Sequence, residues 1–167
     1  MISINDRVKI KEFIYNASDF GTISTFGSNG GPCASFVQNL IKEATRKNFI
    51  IDDILSLAIG LIGKRPILSY DDFCGCKDGD ILCVFNPNTN NSVHFAIFCN
   101  VVVTGQNNVK EMRNVIGVNG FLNLRFGPIP YKNAIASMIS SNDFANGKLL
   151  YDQGLSYDLY VLNYSLG

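Results

Sequence analysis

One stripe of apolar side chains constrains this chain more than any other feature. Cys33, Phe36, Val37, Leu40, Ile41 and Ala44 recur at i, i+3, i+4, i+7, i+8 and i+11, with Gln38, Lys42 and Glu43 off the stripe. That is the period of a helix burying one face. Pro32 suits its first turn, where proline has no N–H to lose and its fixed φ is already helical. The spacing therefore predicts a helix with Cys33 at its N-terminus. A preceding helix is expected over 6–17, where Ile10, Phe13, Ile14 and Ala17 keep the same period, followed by a polar, Gly-rich loop over 18–31. A further apolar helix is expected over about 52–62, ended by Gly63, and then a loop over 65–79.

Past that loop the period shortens. Runs rich in β-branched and aromatic residues at 81–85, 93–103, 109–118 and 158–164 read as strands. Pro87 among Asn86, Asn88, Asn90 and Asn91 marks the first turn and 104–108 the second, so the middle strands form an antiparallel meander. Gly127, Pro128 and Pro130 interrupt the chain before a helix expected over 131–139. The 167 residues, 47% of them hydrophobic, suffice for one domain spanning 1–167. The expected fold class is α+β: the Cys33 helix packed on a central antiparallel sheet of about four to six strands.

Charge and cysteine usage exclude several functions. Lys plus Arg and Asp plus Glu each number 14, so no basic field attracts phosphates and a nucleic-acid partner is not expected. Five cysteines, at 33, 74, 76, 83 and 99, make an odd, irregular set that suits reduced thiols and synthesis in a reducing cytosol. Asp6, Arg7, Lys9, Lys11 and Glu12 break any secretory h-region. No apolar run reaches the roughly 20 residues of a membrane span, so no membrane partner is expected. No metal or other cofactor is expected either: zinc needs about four ligands, and Cys74-Gly75-Cys76 is not a CxxC pair. Gly27, Gly30 and Gly31 lack the GK[ST] of a phosphate loop, and Asp71 with Asp72 reads as a solvated pair.

Two residues carry possible chemistry. A thiol at a helix N-terminus feels the positive end of the macrodipole, which favours thiolate, and the free N–H groups there can stabilise an oxyanion. Cys33 is thus a candidate nucleophile, beside the plainer reading that it is the first apolar residue of its stripe. His94, the one histidine, interrupts the apolar run Val93, Phe95, Ala96, Ile97 and Phe98. It is either a hydrogen-bonded core residue or the base that a cysteine nucleophile requires.

The segment GGPCASFVQNL resembles the catalytic helix start of NlpC-type cell-wall hydrolases and of the amidase effectors delivered by type VI secretion. The runs DGDILCVF and VHFAIF are similar to the Gly-Asp turn and histidine strand of these families and of CHAP amidases. The likeness extends from about Phe26 to Asn119, with a weaker echo in LYVLNYSL, similar to the end of the first family of type VI amidase effectors. It implies a papain-like fold, Cys33 as nucleophile, His94 as general base and then acid, and Gly79-Asp80 as a structural turn. It also implies a peptidoglycan stem peptide as substrate, cleaved through an acyl-enzyme, with the D-glutamyl to diaminopimelate bond as first choice. A chain made in the cytosol yet acting on cell wall fits an antibacterial effector exported by a secretion machine, with an immunity protein as inhibitor.

Departures from the pattern matter. Ala34 follows the cysteine where many relatives have Ser, and Phe26 is the nearest loop aromatic where they have Tyr. The usual position of the third residue holds Gly117, whereas Asn119 resembles the terminal Asn of the CHAP pattern, with Asn114 in reserve. A dyad whose ring is held by a backbone carbonyl or water stands beside these. Two rivals remain open: another cysteine-dependent acyl transfer, such as a protein-directed peptidase, deamidase or acyltransferase, and a non-catalytic binding module.

Overall fold

A computed structural model describes residues 2–61, 64–121 and 126–167, and these fold as α+β. Helix α1 (Ile4–Asn16) begins where Ser3 Oγ accepts the Asp6 N–H at 3.1 Å. Helix α2 (Gly31–Thr45) is the stripe helix, with Phe36, Val37, Leu40 and Ile41 buried. The helix expected over 52–62 is shorter than its apolar pattern suggests. It is one α turn, α3 (Ile54–Ser56), continued by a π-helical turn over Leu57–Leu61. Its expected end at residues 62 and 63 lies outside the described residues.

The stretch expected as a loop over 65–79 contains strand β1 (Lys64–Ile67) and helix α4 (Tyr70–Cys74). Eight more strands follow: β2 (Ile81–Asn86), β3 (Asn91–Thr104), β4 (Lys110–Gly117), β5 (Phe126–Tyr131), β6 (Ala134–Met138), β7 (Phe144–Ala145), β8 (Lys148–Tyr151) and β9 (Leu155–Leu162). Their order is β5-β6-β4-β3-β2-β9-β8-β7, with β1 also on β9, and the pairings are antiparallel. The sheet is therefore nine-stranded, wider than the four to six strands expected.

The helix expected over 131–139 is instead a β-hairpin, β5 and β6 joined at Lys132 and Asn133, which have φ of 51° and 65°. Positive φ at both central residues matches the twist of the flanking strands. The tertiary contact that favours this turn comes from α1. Lys132 Nζ donates to the carbonyls of Ile14 at 2.8 Å and Tyr15 at 2.5 Å, satisfying acceptors that the end of a helix leaves open. Pro128 and Pro130 lie in β5, at the sheet edge, where a missing N–H costs no ladder bond.

Side chains of a strand alternate between faces, and here each face has its own core. Phe95, Ile97, Cys99 and Ile116 meet the helices together with Phe36, Val37, Leu40 and Ile41. Ala96, Phe98 and Val115 face the other way and pack with Ile67, Phe73, Phe121, Tyr151, Leu159 and Val161. Fully burying such a side chain contributes roughly 1.5–3 kcal/mol, so both faces stabilise the sheet.

Gly79 and Asp80 lock α1 to the start of β2. Gly79 has φ +92°, and a Cβ there would stand 3.0 Å from Ile10 Cδ1. Asp80 is buried, its Oδ1 accepting from Arg7 Nη1 at 2.6 Å and its Oδ2 from the Lys77 N–H at 2.8 Å. Tyr164 Oη donates to the Gly79 carbonyl at 2.6 Å, bringing the last residues of the chain onto the same turn.

Candidate functional site

Cys33 is the third residue of α2 and half-buried. The turn that delivers it needs Gly31, whose φ of +83° is a left-handed conformation that L side chains rarely adopt. No side chain caps the helix start. The Gly31 N–H donates to the Ser28 carbonyl at 3.4 Å and Pro32 has no N–H, so the Cys33 N–H is the first-turn donor at the sulfur.

The loop before Cys33 is held by Asp53. Its Oδ1 accepts from Ser28 Oγ at 2.8 Å and the Leu55 N–H at 2.9 Å, and its Oδ2 accepts the Asn29 N–H at 3.2 Å. Burial pushes the Asp53 carboxyl up, but the hydrogen bonds from Leu55, Ser28 and Asn29 outweigh it and hold the group below its ordinary value. Gln38 Oε1 accepts the Ile54 N–H at 3.2 Å, a second tie between α2 and α3. Asp53 reads in the sequence only as an acidic residue near a helix start, and its reach to Ser28 and Asn29 has no sequence signal.

His94 lies on β3 opposite Val84 of β2, and 2% of its surface is exposed. By alternation it shares its strand face with Ala96 and Phe98, not with Phe95 and Ile97, which meet the helices. Phe121 packs edge-to-face on the imidazole, centroids 4.9 Å apart, and Tyr151 lies over it at 6.2 Å and 22°. Burial drives the His94 pKa down to about 4, and the Asn119 carbonyl opposes this only in part. The ring is neutral at pH 7. Nε2 is buried and has no hydrogen-bond partner among the described residues, Cys33 included.

Asn119 joins the two residues. Its main-chain carbonyl acts on the His94 ring, and its side-chain Nδ2 lies 3.9 Å from Cys33 Sγ. The side chain thus serves the sulfur and the backbone serves the ring. Gly117 faces His94 directly, since a Cβ there would stand 3.6 Å from Nε2. Asn114 is not brought to the site. Its side chain accepts the Ile139 N–H at 3.1 Å and donates to the Ile139 carbonyl at 3.4 Å, tying β4 to the chain after β6.

Tyr151 is a neighbour that sequence reasoning missed. Burial raises its phenol to about 12, with a further push from the charge of a thiolate at Cys33. Its ring packs on His94. A tyrosine ending a four-residue strand carries no pattern that would single it out. A groove of about 880 Å³, lined by Thr104, Arg113, Phe126, Pro128 and Met138 among others, lies by the distal end of β3 rather than at His94.

Comparison of the chain with protein-family models, with curated proteins and with solved structures returned no match. Among the described residues no helix is long and apolar enough to cross a membrane.

Proposed function

We propose that this chain is a cysteine amidase of papain-like, NlpC type that hydrolyses an amide bond of peptidoglycan stem peptides, the D-glutamyl to diaminopimelate bond first. The observation that carries the reading is Asn119, whose side chain lies 3.9 Å from a helix-start thiol and whose backbone acts on a neutral strand imidazole. A helix bearing the cysteine, packed on an antiparallel sheet bearing the histidine, supports the papain-like architecture. The substrate class rests on the resemblance of GGPCASFVQNL and DGDILCVF to cell-wall amidases.

In this reading neutral His94 takes the Cys33 proton as the sulfur adds to the substrate carbonyl carbon. The oxyanion then forms beside the Cys33 N–H in the first turn of α2 and the Asn119 amide, donors suited to its charge. The amine leaves with the proton from His94, and water hydrolyses the thioester. Synthesis in the cytosol followed by export fits an antibacterial effector held inactive by an immunity protein in the producing cell.

Digestion of purified sacculi, with mass spectrometry of the soluble products, tests the proposal. Wild-type protein should release fragments cut at the D-glutamyl to diaminopimelate bond, and Cys33→Ala should release none. Absence of any cleaved stem peptide with wild-type protein would overturn the substrate class.

A second reading has its own support. His94 lies on the face of β3 turned from the helices, and its Nε2 has no partner among the described residues. Both facts suit a non-catalytic module in which the two residues only pack. Fast, selective alkylation of Cys33 near neutral pH argues for the enzyme, and a slow, unselective thiol for the module.

A further inference from the structure

The rings that pack on His94 are aromatic. Gly117 of the adjacent strand presents no side chain, and Nε2 beside it has no hydrogen-bond partner among the described residues. Phe121 and Tyr151 enclose the ring instead, one edge-to-face at 4.9 Å and 89°, the other nearly parallel at 6.2 Å and 22°. They also pack edge-to-face on each other, centroids 5.6 Å apart. The three rings come from β3, from the segment after β4 and from the end of β8, so their meeting is a product of the fold.

We propose that Tyr151 and Phe121 are the positioning residues of this site, fixing the His94 imidazole by ring packing in place of a third polar side chain. The inference rests on the reading of His94 as the base. Aromatic pairs with offset or edge-to-face geometry are favourable beyond area burial, which biases one ring orientation over others. The titratable groups of the cluster are Tyr151 of β8 and Cys33 of α2, with Asp152 and Tyr157 beyond Tyr151. No carboxylate contributes to the His94 environment, where burial acts first and the Asn119 carbonyl second. The rings thus hold the base by shape and keep it dry. Tyr151 is the more informative of the two because its ring can be kept or removed independently of its hydroxyl.

A single histidine makes the test direct, because the His94 ring resonance in an NMR titration needs no assignment. Wild type, Tyr151→Phe and Tyr151→Ala are compared for the His94 midpoint and for kcat and KM on muropeptides. Tyr151→Ala should raise the midpoint by at least about one pH unit, as water reaches the ring, and lower kcat at least about tenfold with little change in KM. Tyr151→Phe, which keeps the ring, should recover most of both losses. A Tyr151→Phe as impaired as Tyr151→Ala would overturn the inference, because the hydroxyl and not the ring would then be acting. So would a Tyr151→Ala with an unmoved midpoint. Where Tyr151→Ala does not fold, Tyr151→Leu replaces it under the same two criteria. Turnover by wild type with a silent Tyr151 variant removes this inference alone, whereas no Cys33-dependent turnover removes the catalytic reading beneath it.

Discussion

Asn119 places its side-chain nitrogen 3.9 Å from the Cys33 sulfur while its main-chain carbonyl acts on His94, so a single residue just beyond β4 bears on both halves of the site. The two contacts are separable by mutation. Asn119→Ala removes the amide beside the sulfur and leaves the carbonyl. It should lower kcat by about tenfold or more with little effect on KM, as loss of an oxyanion donor does. The His94 titration midpoint should stay where it is in wild type. Steady-state kinetics on a muropeptide, with NMR of the histidine ring, checks both; a shifted midpoint would show that the side chain, not the backbone, governs the imidazole.

The five thiols should react in a defined order. Cys76 and Cys99 are buried, and burial raises them to about 11 and about 12. Cys83 is buried as well, whereas Cys33 is half-buried and Cys74 exposed. Iodoacetamide at about pH 7.5 should label Cys33 and Cys74 well before the others, since the thiolate is the reactive form. Cys74→Ala should keep turnover and Cys33→Ala should abolish it with thermal stability retained. Peptide mapping by mass spectrometry gives the order, and early modification of Cys76 or Cys99 would contradict the burial.

Acid should weaken the fold through His94. The unfolded chain takes a proton near the ordinary value of 6.5, but the folded chain resists until about 4. Between those values the unfolded state binds more protons, so stability falls as pH drops and is fully restored above the unfolded value. The shift of roughly 2.5 units corresponds to about 3 kcal/mol at most. Urea unfolding of wild type and His94→Gln at pH 7 and pH 4 isolates this contribution, because the carboxylates titrate alike in both. Parallel loss of stability in the two proteins would mean that the imidazole is wet.

Asp53 should be felt both in stability and at Cys33. Asp53→Ala removes the cap of α3 and two anchors of the loop at Ser28 and Asn29. Lost caps of this kind cost about 1 kcal/mol. The carboxylate sits below its ordinary value in the fold, so its contribution is present above that value and disappears as pH falls through the folded one. The loop carrying the turn into Cys33 should loosen, lowering kcat more than the thermal midpoint suggests. Hydrogen exchange over residues 24–31, beside kinetics, checks this; unchanged exchange there would detach the loop from Asp53.

Local pattern was sufficient wherever one element buries one face. The stripe from Cys33 to Ala44 specified α2 and put the thiol in its first turn, and the runs around Ile81, His94 and Val115 specified β2, β3 and β4, because a period of 3.6 or 2 is written in consecutive residues. Partners distant in sequence decided the rest. Residues 64–67 and 134–138 are strands because β9 and β4 offer them backbone hydrogen bonds, and Lys132 turns the second pair by reaching the open carbonyls of α1. At the site, sequence alone singled out Cys33, His94, Asn119 and the vacancy at Gly117. Only the tertiary fold decided that His94 faces away from the helices, that Asn119 divides its side chain and backbone between sulfur and ring, and that Tyr151 closes over the imidazole. The physical reason is that burial, and with it the loss of charge on His94, depends on which chain segments cover a residue, and no spacing along one strand encodes what will be packed on top of it.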